Sequence, residues 1–300
     1  MVAKKTPVRK TKKQHTPDYY PVQRKITLGV DGGNLGGNNV ADIGKLLSIQ
    51  NRRLYRQGKL YTAKVDLEID GTVGVDHYVD VYVLVNNWDT QRAFALAKAT
   101  YDEAYADELK AQAGQASRWR DFRTDHGLTG FGDIDPVTYD RGNLATSVEN
   151  HGEHLLSFVD DAGTSKGFTW GQATGSLLSI IAEWDNAGTT SSTPSAASSA
   201  APYGGVNNDA LSDIEMQHLG SAGNSPPYNT GNTQGIWVKV CTLYKQIGAI
   251  GLQKLSTGYF EAPCGLIALV ANSGLGNDSL SLTVKSGDYK GVHGLSMCQE

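Results

Sequence analysis

The sequence has few cysteines and no long apolar run, and each absence excludes a class of protein. The three cysteines, Cys241, Cys264 and Cys298, lie far apart and form no Cys-x-x-Cys pair. This pattern argues against a disulfide framework or a zinc site and is typical of a chain made in a reducing compartment. No stretch approaches the roughly 18 consecutive apolar residues of a membrane span, and no apolar run follows the first cations as it does in a secretory signal. We therefore expect a soluble protein that is made in the cytosol and has no membrane partner.

Sequence signatures of catalysis are also missing. There is no Gly-x-Ser-x-Gly elbow, no Gly-Lys-Ser/Thr phosphate loop and no histidine beside a cysteine. The glycine cluster at 31–39 follows a short strand but matches neither nucleotide-binding pattern, which favours a mobile loop that leads into a short helix over 40–47. A pair of acids can always be chosen from 31 aspartates and glutamates, so such a pair does not indicate a hydrolase. Nothing in the sequence requires an enzyme, a metal or a cofactor.

The chain does have a strong charge asymmetry. Residues 1–25 hold eight basic residues and one acidic residue, a local net charge of +7, whereas residues 26–300 carry −11. Such a segment has little to bury, so we expect a disordered basic arm. It has no aromatic residue before Tyr19, which predicts contacts to phosphates without base stacking and therefore without sequence specificity. A solvated tail or a nuclear-import signal remains an alternative. The candidate nucleic-acid-binding residues are Lys4, Lys5, Arg9, Lys10, Lys12, Lys13, Arg24 and Lys25.

The body of the chain predicts an antiparallel sheet interrupted by a helix. Apolar and polar residues alternate over 61–69, the period of a strand with one buried and one wet face, and 78–85 is more evenly apolar, as a central strand would be. Over 89–112 the apolar spacing changes to three and four residues, which predicts an amphipathic helix that is capped by Asn87 or Asp89 and packs on the sheet. We expect a helical insertion over about 88–125.

A serine- and alanine-rich segment at about 186–203 is either an interdomain linker or a flexible surface loop. About six candidate strands precede it, the last at 177–184, and about four follow it. Because neither half alone makes a closed sandwich, we interpret residues 26–300 as one domain. Its predicted class is all-β and mainly antiparallel.

Several polar clusters are weaker candidates for a site. Three arginines around two aromatics at 118–123 could grip single-stranded nucleic acid through cation–π and stacking contacts, but two nearby aspartates favour a structural helix end. The segment 149–154 has two histidines and two glutamates without a His-Glu-x-x-His frame, so a polar loop is the default. The carboxylate pairs at 133–135 and 160–161 could bind calcium at an interface, yet neither completes an EF-hand loop.

A basic arm followed by an antiparallel β-domain with a helical insertion resembles the jelly-roll capsid proteins of small single-stranded viruses, most closely those with circular DNA genomes. The resemblance covers most of the chain in layout. It rests on the arm Lys4–Lys13, the strands within Tyr61–Val85, the helix Asp89–Gln112 and the C-terminal segments Glu261–Val270 and Gly287–Val292. It implies an eight-stranded jelly-roll sandwich that self-assembles into an icosahedral shell and packages a single-stranded genome through its arm. The protein would be made in the host cytoplasm, with nuclear import through the arm as an option, and would reside in the virion.

Two other classes stay open. The first is a non-enzymatic β-sandwich binding or adhesion module, in which tryptophans such as Trp170 or Trp237 would be the surface contacts. The absence of a secretion signal and the presence of the arm argue against it. The second is a β-rich hydrolase, for which the cluster at 149–154 would have to be functional.

Overall fold

The computed structural model describes residues 21–29, 38–69, 76–111, 119–136, 138–139, 144–145, 158–159, 165–174, 176–188, 236–246, 251–272 and 279–298. Six arm residues lie outside these ranges, namely Lys4, Lys5, Arg9, Lys10, Lys12 and Lys13. The predicted loop at 186–203 also lies outside them, apart from its first three residues.

Strands dominate the described part of the chain. The helices are α1 (Ile43–Asn51), α2 (Trp88–Ala111) and α3 (Ile180–Gly188). The strands are β1 (Lys25–Gly29), β2 (Asn38–Asp42), β3 (Lys59–Ile69), β4 (His77–Leu84), β5 (Phe131–Asp133), β6 (Asp135–Pro136), β7 (Thr138–Tyr139), β8 (Leu144–Ala145), β9 (Phe158–Val159), β10 (Ser165–Thr169), β11 (Leu177–Ser179), β12 (Trp237–Lys245), β13 (Gln253–Ser256), β14 (Phe260–Ala262), β15 (Leu266–Ala271), β16 (Ser279–Val284) and β17 (Gly294–Ser296).

Two sheets carry the fold. The larger has the order β13-β3-β16-β1-β6, and β14 and β17 also pair with β3. The second has the order β12-β4-β15-β2-β5. Within these two sheets every pairing is antiparallel except that of β2 with β5. The predicted β-rich, mainly antiparallel architecture is therefore confirmed.

Strand β3 has the side-chain alternation that its sequence predicts. Its intervening residues, such as Lys64 and Asp66, are partly exposed, and they form an ion pair with each other on the outer face. The residues of the other face are at most 1% exposed: Tyr61, Ala63, Val65, Leu67 and Ile69. Burial of this face against the second sheet sets the register of β3 in the sheet.

Helix α2 occupies nearly the range that the apolar spacing predicts. The side chain of Asn87 caps it, since its Oδ1 accepts the N–H of Thr90 at 2.8 Å. Phe94 and Ala97 are buried, so this stripe packs on the rest of the protein as expected. Among the described residues, no helix is both long enough and apolar enough to cross a membrane.

Two local predictions are wrong. The helix expected over 40–47 begins only at Ile43, because Asp42 ends strand β2 and caps α1 by accepting the N–H of Lys45 at 3.0 Å. The apolar run at 177–184 is a strand only over its first three residues and continues as α3. A short apolar run does not distinguish a buried strand from a buried helix by periodicity alone.

The buried apolar residues form two cores, one on each face of the second sheet. The first core lies between the two main sheets and includes Ile267 and Leu269 of β15. Their neighbours in β15, Leu266 and Ala268, belong to the second core on the opposite face. That second core is completed by residues of the segment between β4 and β12: Ala93, Phe94, Ala97, Phe122, Phe168, Trp170, Ile180 and Ile181. Helices α2 and α3 and strand β10 of the insertion therefore contribute to the core on this face of the sheet.

Candidate nucleic-acid interface

The last residues of the predicted arm are fixed to the folded domain. The N–H of Gln23 donates to Oδ1 of Asn51 at 2.8 Å, and Nδ2 of Asn51 donates to the Gln23 carbonyl at 3.1 Å. Val22 packs against the core between the sheets and lies beside Gly291, where an added Cβ would come within 2.7 Å of its side chain. We call residues 21–23 the arm root. It is held between the end of α1 and the loop that follows β16.

Two of the eight predicted site residues belong to the described structure. Arg24 and Lys25 are exposed at the start of the first strand. The Arg24 carbonyl accepts the N–H of Val284 at 2.9 Å, and Lys25 pairs with Thr283 in the sheet. The domain therefore already includes the last residues of the segment 1–25, which charge alone assigned to the arm. The net charge of the segment gives no information on its hydrogen bonds or on the packing of Val22, so charge alone placed the boundary too late in the chain.

Four cations that the sequence analysis did not single out lie on the two segments that hold the arm root. Arg53 and Arg56 lie in the connection from α1 to β3, Lys59 is the first residue of β3, and Lys290 lies in the loop after β16; we call these four the loop cluster. Arg53 and Arg56 are exposed, whereas Lys59 and Lys290 are half-buried. None of the four forms an ion pair with a carboxylate of the described residues.

Three tyrosines fix the backbone of the loop cluster. The Tyr61 hydroxyl donates to the Arg56 carbonyl at 2.7 Å, and the Arg56 N–H donates to the Tyr289 hydroxyl oxygen at 3.0 Å. The Tyr55 hydroxyl donates to the Lys290 carbonyl at 3.0 Å, and its ring meets the Tyr289 ring edge to face with centroids 6.1 Å apart. Burial raises the pKa of all three tyrosines, so their hydroxyls stay protonated at neutral pH.

The loop cluster is electropositive and its members repel one another. Nζ of Lys59 lies 4.7 Å from the centroid of the Tyr289 ring, and Nζ of Lys290 lies 5.4 Å from the same centroid. Burial lowers the pKa of Lys290, and the charges of the other three members lower it further against the opposing effect of Asp121. An anion at this position would relieve the repulsion.

A buried polar network joins the insertion to the connection that carries the cluster. Nη1 of Arg123 donates to Asp42 at 2.6 Å, and its Nε lies 3.6 Å from Asp121. The N–H of Gln57 donates to Asp121 at 2.9 Å, while its side-chain oxygen accepts the N–H of Thr124 at 2.6 Å. Burial raises the pKa of Asp121 to about 6, although Arg123 acts in the opposite direction. These contacts are internal, so we interpret the network as a structural clamp on the insertion.

Arg120, Phe122 and Arg123 of the segment after α2 make contacts inside the protein, whereas Trp119 is 50% exposed. The guanidinium carbon of Arg120 lies 3.2 Å from the centroid of the Tyr105 ring, and the same side chain pairs with Asp102 at 3.0 Å. Phe122 is buried in the second core, and the side chain of Arg123 is 2% exposed. These internal contacts favour a structural role over a grip on nucleic acid. The predicted helix end is wrong, because α2 ends at Ala111 and residues 119–123 are not helical.

The carboxylates of Asp133 and Asp135 face a lysine. Nζ of Lys45 lies 3.7 Å from the first and 3.2 Å from the second, and Lys45 is only 6% exposed. Because this ammonium group lies against both carboxylates and balances one of their two negative charges, the pair is poorly suited to calcium. No group of three or more metal-ligating side chains occurs among the described residues. The clusters at 149–154 and 160–161 lie outside those residues.

The structure shows the burial of the two candidate tryptophans and the state of the three cysteines. Trp170 is fully buried in the second core, so its expected role as a surface contact of an adhesion module is wrong; Trp237 is half-buried. Cys241, Cys264 and Cys298 are all free of disulfides.

The loop cluster had a partial signal in the sequence. Residues 52–59 contain four cations and no acidic residue, a local run as clear as that of the arm. Lys290 had no such signal. It joins the cluster because β16 and β17, on either side of its loop, both pair with β3.

Comparison of the chain with protein-family models, with curated proteins and with solved structures finds no match.

Proposed function

We propose that this chain is the capsid protein of a small single-stranded virus, most like those with circular DNA genomes. In this proposal it self-assembles into an icosahedral shell and packages the genome through its basic arm, without sequence specificity. Its partners are further copies of itself and the nucleic acid, and its place is the virion.

The observation that carries the proposal is the strand order of the two main sheets. Apart from β5, β6, β14 and β17, the strands of the two main sheets follow one another along the chain as β1, β2, β3, β4, β12, β13, β15 and β16. By position in that series, one sheet has the order 6-3-8-1 and the other 5-4-7-2. This interleaving is what two Greek keys wound together produce, and it supports an eight-stranded jelly roll.

The arm distinguishes the capsid proposal from other uses of this architecture. Jelly rolls also occur in lectins and cupins, so the fold alone does not choose a function. Here a segment with a local net charge of +7 joins the domain beside four cations that have no carboxylate partner among the described residues, while residues 26–300 carry −11. A basic end on an acidic body fits a subunit that turns one end towards phosphates.

The salt dependence of binding tests the role of the arm. If the eight predicted cations each neutralise one phosphate of a single strand, log K should fall with log salt with a slope of about −5 to −6. Deleting residues 1–20 removes six of them and should reduce the slope by about 4. Replacing the same six by glutamine should have an equal effect, which separates charge from length. A slope that is unchanged in both variants would contradict the proposed role.

A further inference from the structure

The loop cluster differs from seven other cations of the described structure. Seven cations elsewhere in the described structure are paired with carboxylates: Lys45 with Asp135, Lys64 with Asp66, Lys98 and Arg120 with Asp102, Arg123 with Asp42, Lys239 with Asp80 and Lys254 with Glu68. Arg53, Arg56, Lys59 and Lys290 have no such partner among the described residues. The charge of the cluster is therefore available to an anion from outside the domain.

The backbone holds Lys290 in an unfavourable conformation. Its φ is +52°, in the left-handed region that is unfavourable for a residue other than glycine. Nζ of Lys290 nevertheless donates to the Leu54 carbonyl and so brings the charge towards Arg53 and Arg56. A long cationic side chain at a position suited to glycine is expected where the side chain itself is needed.

The position of the cluster indicates which anion it meets. Asn51, which holds Gln23, is separated from Arg53 by one residue, and Gly291, which contacts Val22, follows Lys290 directly. The basic arm therefore leaves the domain beside the cluster. A polyanion bound to the arm would reach the cluster without crossing the rest of the surface.

We propose that the loop cluster is a second phosphate-binding site for the single-stranded nucleic acid, built on the folded domain and independent of the arm. This inference rests on the nucleic-acid partner of the proposed function but not on shell formation. Two ammonium groups already lie over the Tyr289 ring, so the site would contact phosphates and would not stack a base on that ring.

Stabilisation of helix α1 by nearby cations would account for only part of the loop cluster. Arg53 lies just beyond the carbonyl end of α1, where a cation is favourable to the helix dipole. Lys59 begins a strand and Lys290 lies in a loop after β16, so the dipole of α1 does not explain their convergence.

The test uses a protein without residues 1–20, so that the arm does not mask the cluster. The probe is a fluorescent oligo-dT, and its affinity is measured over a series of salt concentrations. The variant R53Q/R56Q removes two exposed cations whose side chains make no described hydrogen bond, so its melting temperature should equal that of the parent. The matched control K239Q/K254Q removes two exposed cations that are already ion-paired.

For R53Q/R56Q the slope of log K against log salt should fall by about 1.4, and affinity at 0.1 M salt should drop roughly 10- to 30-fold. The control should bind within about twofold of the parent, since exposed ion pairs contribute little. Equal binding by the two variants would overturn the inference. Loss of assembly with unchanged oligo-dT binding would overturn it too and would assign the cluster to carboxylates of a neighbouring copy. The expected loss of binding in a protein that never forms shells would support the site and contradict the capsid proposal.

Discussion

Replacing Asp121 by asparagine should remove a large pH-dependent contribution to folding stability. Asp121 shares Arg123 with Asp42, so full ionisation leaves the buried group of three with one excess negative charge. Protonation of Asp121 cancels that excess. The N–H of Gln57 donates to Asp121, and asparagine keeps an acceptor oxygen for it.

The pKa of Asp121 sets the size and the sign of the effect. Burial raises this pKa from 3.8 to about 6 in the folded protein. A difference of about two units between the folded and unfolded states corresponds to about 3 kcal/mol. The folded state binds the proton more tightly than the unfolded state. The free energy of unfolding should therefore fall as pH rises from about 4 to about 6, and this contribution should then level off.

The measurement is urea unfolding of the wild type and D121N at pH 4, 5, 6 and 7, at a concentration where both are monomeric. The free energy of unfolding of D121N, relative to that of the wild type, should rise by about 3 kcal/mol between pH 4 and pH 7. Subtracting the free energies of unfolding of the two proteins removes the contribution of all other titrating groups. A matched control, D288N, removes an exposed carboxylate and should show no such gain. Equal pH dependence in the wild type and D121N would refute the reasoning.

Three further predictions concern stability. Replacing Lys45 by methionine leaves the carboxylates of Asp133 and Asp135 without their cation and should lower the free energy of unfolding by about 2 kcal/mol in urea titration; an unchanged midpoint would contradict the pairing. The substitution Gly171→Ala puts a Cβ 2.2 Å from the carbonyl oxygen of Gly127 and should cost about 3 kcal/mol, measured in the same way. Deletion of residues 1–20 should leave the melting temperature unchanged, whereas deletion of 1–25 should lower it because the arm root and the first residue of β1 are lost; equal melting temperatures would contradict the arm root.

The elements that the sequence predicted are those whose pattern is local. The alternation over 61–69 identifies β3, since every second side chain must enter one core. The change to helical spacing identifies α2 to within a residue at each end. In both cases the residues of the buried face belong to one continuous segment of the sequence.

The features that the sequence did not reveal depend on contacts between distant segments. In the sequence, Arg123 stands among arginines and aromatics, as a nucleic-acid contact would. In the structure it is buried and donates a hydrogen bond to Asp42, which is 81 residues away. Trp170 is buried because the insertion folds back on the second sheet. Lys290 joins the loop cluster through strand pairings that link the end of the chain to β3.

Negative-stain electron microscopy of the purified full-length protein, with absorbance at 260 and 280 nm on the same fraction, tests the capsid proposal most directly. The account predicts closed particles of uniform diameter with an excess of nucleic acid. Protein without residues 1–20 should lose most of that excess, because it lacks six phosphate-binding cations. A monomer or small oligomer that is free of nucleic acid over a range of salt and pH would contradict the account.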